Sequence, residues 1–239
     1  MAHPIIVDTI ENSFVPLLTH NNSIGDTAQL KRFDEPSWNY QVVRFLDSDA
    51  KDIIPRKDKV WDIKSLTKRM ILTLEKSDQE TPPLLEFLEQ ETDTTNHAQA
   101  AFSMYCFWTG ELKLGAIEGV ITTEAGHYDG HEVTLVTYDK SQLSLKGLLT
   151  QATAINCFDR AYVPPSLVKS AKSYIPAPIG ELTKGYQKAK SSDQKRQIRG
   201  TPFAKLNLSP AQATKVNSFA RSNPQKAKGY LTKRQLSDL

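Results

Sequence analysis

The sequence predicts an α+β body carrying a basic, partly helical C-terminal arm, and three observations carry that expectation. Helical spacings, β-rich runs and a turn signal follow in the order strand, helices, hairpin, helix, without regular alternation. Apolar residues at 39% and charged residues at 24% are ordinary globular usage. The charge is divided: Pro165–Leu239 holds 15 Lys and Arg against three acids, while Met1–Pro164 holds 15 against 24. An asymmetry of this size points to nucleic acid or an anionic membrane as partner.

The same composition narrows the class. Two cysteines are too few for a disulfide scaffold. No apolar run approaches the ~20 residues of a spanning helix. Met1–Leu18 lacks the basic start and apolar centre of a signal peptide, so an intracellular protein is expected.

In chain order, Ile5–Ile10 and Trp38–Phe45 read as strands, because β-branched and aromatic residues dominate both. Asn21–Asp26 between them reads as a loop. Ile63, Leu66, Met70 and Leu74 recur at three- and four-residue steps, one face of a helix. Thr81-Pro82 is a helix start before Leu84, Leu85 and Leu88. Asn96 with Gln99 has capping-box character, and Ala98, Ala101, Phe102, Tyr105 and Cys106 follow helical spacing. This reads as the central buried helix, stopped at Gly110, with a strand through Phe102–Trp108 as the competing reading. Ala116–Thr122 and Val133–Tyr138 flank Asp129-Gly130, a β-hairpin pattern. Leu145–Cys157 reads as a helix, and Pro164-Pro165 as the end of the body.

The arm divides in two. Residues 165–208, interrupted by Pro176, Pro178, Gly180, Gly185 and Gly200, read as a linker. Residues 209–239 read as short helices. Ser209, Pro210 and Gln212 form a capped start, Ala213, Val216 and Ala220 a stripe, and Asn223-Pro224 a stop. Thr232 with Gln235 is a second capping box, stapled by Leu231 and Leu236. A helix that short needs a surface to dock on.

The candidate nucleic-acid-binding residues are the cations of the arm, which neutralise phosphates, and its interleaved tyrosines, which stack on bases. They are Lys169, Lys172, Tyr174, Lys184, Tyr186, Lys188, Lys190, Lys195, Arg196 and Arg199 in the first part. Lys205, Lys215, Arg221, Lys226, Lys228, Tyr230, Lys233 and Arg234 complete the set. Eleven of the 15 charges are lysine, a point charge with little base specificity. The structural alternative is a tail that serves solubility or folds back on its own acidic body.

Other chemistry is sparse. His127 and His131 are four apart beside Glu124, Asp129 and Glu132, a zinc spacing only if the segment were helical. Asp129-Gly130 argues instead for a hairpin tip. Cys106 and Cys157 sit among apolar residues as inert buried thiols. Trp38, Trp61 and Trp108 read as core anchors or partner contacts. No phosphate-binding glycine loop, dinucleotide fingerprint or nucleophile elbow is present, and no cofactor or metal is expected.

Cys157-Phe158-Asp159-Arg160-Ala161-Tyr162-Val163-Pro164 resembles a short stretch of rhabdovirus matrix proteins with a similar Arg-Ala-Tyr-Leu-Pro. The resemblance spans these eight residues, and the positive charge here lies at the other end of the chain from that family's basic arm. It implies a viral assembly protein. Three readings follow. The first is a non-catalytic protein binding RNA or single-stranded DNA through the arm, self-associating through the body. The second is a matrix-like peripheral protein on anionic lipid, and the third a metal-dependent enzyme acting on nucleic acid.

Overall fold

The structure, a computed structural model, describes residues 3–20, 24–36, 38 and 42–239. The chain divides into two units, Met1–Thr92 and Asp93–Leu239. Both helices and a six-stranded mixed sheet are present, an α+β fold.

The first unit contains α1 (Pro4–Ser13), α2 (Thr27–Arg32), α3 (Ile63–Lys76) and α4 (Pro83–Thr92). Asp62 caps α3 by accepting from Ser65 N–H at 2.7 Å. Met70 and Leu74 bring the expected stripe into a core with Ile5, Ile6, Ile54, Leu85 and Leu88. The strand expected at Ile5–Ile10 is part of α1. Pro4 occupies the first helical turn, and Ile5, Ile6 and Thr9 share the buried face. Packing there overrides the β preference of isoleucine and valine. Of the strand expected at Trp38–Phe45, residues 39–41 lie outside the described residues. Val43 and Leu46 make only isolated bridges, to Lys57 and Asp52. Of the expected loop, Asn21–Ser23 lies outside the described residues and Ile24–Asp26 is a single 3-10 turn. Glu35 accepts from both Arg44, at 3.0 Å, and Arg56, at 2.5 Å, tying this loop together.

The second unit opens with β1 (His97–Ser103), α5 (Phe107–Gly115), β2 (Val120–Tyr128), β3 (His131–Asp139), α6 (Leu145–Ala154) and β4 (Arg160–Val163). There follow α7 (Val168–Ala171), β5 (Ile179–Glu181), β6 (Gln187–Lys188), α8 (Pro210–Phe219), α9 (Pro224–Lys228) and α10 (Lys233–Ser237). The sheet order is β5-β4-β1-β3-β2-β6. Its inner four strands are antiparallel and, with α5 and α6, form the split βαβ arrangement. Ala100, Phe102, Val136, Tyr138, Ala161 and Val163 face one way, against Leu148 and Leu149 of α6.

The hairpin stands where expected. Asp129 (φ 52°) and Gly130 (φ 75°) form its two-residue turn, both left-handed as a twist-matched turn requires. The central helix expected over Asn96–Cys106 is instead β1. A run of small apolar residues fits a strand buried on both faces, and paired on both edges, as well as it fits a helix. Gly110 does not end a helix. It lies inside α5, where a Cβ would overlap Thr134 Oγ1 and Met104 Sδ, so glycine here lets α5 press against β3.

The boundary expected at Pro164 does not coincide with the observed division at Thr92. Residues 165–208 supply two sheet strands and the buried Ala171, Ile175, Ala189, Ile198 and Phe203. Beyond β6, Ala189 N–H donates to Ala125 O at 2.9 Å. The Gln194 amide accepts from Ala125 N–H at 3.0 Å and donates to Ala125 O at 2.8 Å, imitating one residue of a strand. Helix α8 is buried almost all round, including its polar side. Thr214 accepts from Thr123 N–H at 3.1 Å, and Asn217 accepts from Gln197 N–H at 2.9 Å. Both expected capping boxes are present, at Ser209/Gln212 and Thr232/Gln235. Helix α8 ends at Phe219, four residues before the expected stop at Asn223-Pro224, which instead begins α9. The short α10 docks through Gln235, which donates to Asn207 O at 2.6 Å. Among the described residues no helix is long and apolar enough to cross a membrane.

Candidate nucleic-acid interface

By unit, the charge segregates without an arm. Asp93–Leu239 holds 19 Lys and Arg against 11 acids, and Met1–Thr92 holds 11 against 16. The 18 sequence candidates all lie in the second unit, but they do different work.

Two of the lysines are structural. The Lys195 ammonium sits 2.5 Å from Glu111 Oε1, and its N–H donates to Glu111 Oε2 at 2.8 Å. Glu111 is fully buried. This double grip holds Lys195 at φ 51°, a left-handed conformation uncommon outside glycine. Lys215 on α8 donates to Gly115 O, the last carbonyl of α5, at 3.0 Å and to Ile117 O just beyond it at 2.8 Å, a cation placed at the C-terminus of that helix. Burial pushes its amine down to about 8. Stability of this unit is therefore expected to rise from about pH 8 towards pH 10, since the unfolded chain holds that proton longer than the folded one. Denaturant titrations should show this rise in the wild type relative to Lys215→Met, which lacks the titrating amine.

The tyrosines expected to stack on bases are engaged within the protein. Tyr186 lies against Gly126, where a Cβ would meet its ring, and its hydroxyl donates to Ala125 O at 3.2 Å. Burial, with Glu124 nearby, pushes its phenol up. Tyr174 has the Lys146 ammonium 5.9 Å above it. Tyr230 stacks on Phe219 at 6.3 Å, with Lys226 over the other ring at 4.3 Å. Lys188 pairs with Glu124. Lys169, Lys172, Lys184, Lys190, Lys205 and Lys228 are exposed, as are Lys233 and Arg234 on α10.

Arg196, Arg199 and Arg221 behave differently, for each is held by an aromatic ring or a backbone carbonyl. Arg196 lies 4.9 Å above the Trp108 ring of α5, whose indole N–H donates to Asp193 O at 2.9 Å. Arg199 donates to Ser192 O, and Arg221, just past α8, donates to Arg199 O at 2.6 Å. Among the described residues none of the three is within ion-pairing distance of a carboxylate. Three guanidiniums are thus oriented by an aromatic face and backbone carbonyls, which leaves their charge uncompensated. A planar fork held this way suits phosphate oxygens. Trp108 was legible only as an aromatic, since its partner Arg196 lies far along the chain. Trp38 and Trp61, read as core anchors or partner contacts, are exposed and so are not core anchors.

The hairpin histidines do not form a metal pair. His127 pairs with Glu132 and His131 with Tyr128, so the two imidazoles point to opposite faces of the sheet. Among the described residues no group of three His, Cys, Asp or Glu is placed to hold an ion. Cys157 is buried and its thiol is raised to about 11 by that burial, while Cys106 is half-buried at the start of α5. The stretch resembling matrix proteins is β4, whose Ala161, Tyr162 and Val163 are buried in the sheet. No protein-family model and no curated protein matches the chain.

Proposed function

We propose that the second unit binds nucleic acid, without catalysis, through the patch formed by Trp108, Arg196, Arg199 and Arg221. The observation that carries this reading is the set of three oriented guanidiniums without a carboxylate partner, on a unit with 19 basic and 11 acidic residues. Phosphate contacts of this kind give affinity without reading sequence, so the expected partner is RNA or single-stranded DNA bound with little base preference. The surrounding exposed lysines add long-range attraction that salt screens. An assembly role, with self-association, fits such sequence-tolerant binding.

Replacing Arg196, Arg199 and Arg221 together by Gln removes the charges while leaving a polar side chain at each position. Affinity for oligouridylate at low salt is expected to fall at least about tenfold, about 1.4 kcal/mol or more for three lost phosphate contacts. The denaturation midpoint should stay near that of the wild type. Unchanged affinity contradicts the proposal, and wild-type binding to anionic vesicles but not to oligouridylate favours the matrix-like alternative.

A further inference from the structure

Tyr105 is the most exposed aromatic side chain among the described residues, at 97% of its full surface. The helical spacing placed it in a buried stripe, whereas it projects from the link between β1 and α5. That link is fixed on both sides. Met104 N–H donates to Glu132 O at 3.3 Å, Phe107 N–H donates to Glu132 Oε2 at 3.0 Å, and Cys106 O accepts from Thr109 N–H at 3.0 Å. A rigid backbone therefore holds an entire phenol ring in water, where it contributes nothing to the core.

Its position gives the ring a use. Tyr105 precedes Trp108, the ring under Arg196, by three residues, at most about 11 Å of chain. The nearby carboxylates are already engaged, Glu132 by Phe107 N–H at 3.0 Å and Asp129 by Arg160 at 3.9 Å. The other tyrosines of this unit are at least half-buried.

We infer that Tyr105 is a stacking platform for an unpaired base, so the ligand of the patch is a single strand rather than a duplex. This deepens the reading of the arginine patch and rests on it. Stacking needs an open base face, which a duplex keeps within its own stack, and every base has such a face. The arginines then hold the adjoining phosphates, and the tyrosine selects for strandedness without selecting sequence.

The full-length chain is tested against three probes: labelled oligouridylate, the corresponding adenine–uracil duplex, and polyphosphate, which has charge but no base. Tyr105→Ala is expected to weaken oligouridylate binding by about 5- to 150-fold, the range seen when a stacking aromatic is removed. Tyr105→Phe should bind as the wild type does, and neither variant should change affinity for polyphosphate or duplex. If Tyr105→Ala binds oligouridylate normally, or loses polyphosphate to the same degree, the stacking role is overturned while the arginine patch stands. If the wild type binds none of the probes, the patch itself is overturned, and the stacking role with it.

Discussion

A chain ending at Pro164 is expected to lose the cooperative fold of the second unit, although the composition of residues 165–208 suggests a dispensable linker. The cut removes β5 and β6 from the two edges of the sheet. It removes Gln194 and Ala189, which occupy the Ala125 backbone at the β2 edge. It also removes α8 with Lys215, the donor to the Gly115 carbonyl that ends α5. Each buried polar group left unmatched costs roughly 1–3 kcal/mol, and several such losses exceed the stability of a typical domain. Circular dichroism during a denaturant titration should show a sharp transition for residues 93–239 and none for residues 93–164. A cooperative transition in the shorter piece contradicts the assignment of residues 165–239 to this unit.

Glu111→Ala is expected to destabilise the same unit by about 3–5 kcal/mol, the usual consequence of leaving a buried charge without its partner. Glu111 is fully buried, and Lys195 is held by both its ammonium and its N–H. Without the carboxylate, the ammonium keeps only Thr123 O, at 2.5 Å, and the left-handed backbone of Lys195 loses its clamp. The double variant Glu111→Leu with Lys195→Met removes both charges and should recover a large part of the loss. Denaturant midpoints of the single and double variants measure this. A single variant within about 1 kcal/mol of the wild type means that the pair is not the lock described.

The two largest corrections show what the sequence makes legible. Local chemistry with a one-residue signature survives intact: the Asp129-Gly130 turn, the capping boxes at Ser209 and Thr232, and the apolar stripe of α3. These need only neighbours in sequence. Segments whose conformation depends on distant partners do not survive. Ala98–Phe102 fits either period until β3 and β4 are known to flank it. Residues 165–208 look like a linker because their few apolar side chains are spread thin, and much of what fixes them is hydrogen bonding to the body. The candidate site divides in the same way. The positive charge was legible by counting, but which cations are free depends on Glu111, Glu124 and the end of α5, which claim Lys195, Lys188 and Lys215. Tyr105 and Trp108 carried no linear signal that separated them from core aromatics.

The uncompensated guanidiniums are tested most directly by salt dependence. Affinity of the full chain for oligouridylate is measured across a range of sodium chloride concentrations, for the wild type and for the variant with Arg196, Arg199 and Arg221 changed to Gln. Each phosphate contact on a single strand contributes about 0.7 to the slope of log affinity against log salt. The wild-type slope should exceed that of the variant by about 2, the share of three contacts. Equal slopes would mean that these arginines touch no phosphate, and that the positive charge of the unit serves some other end.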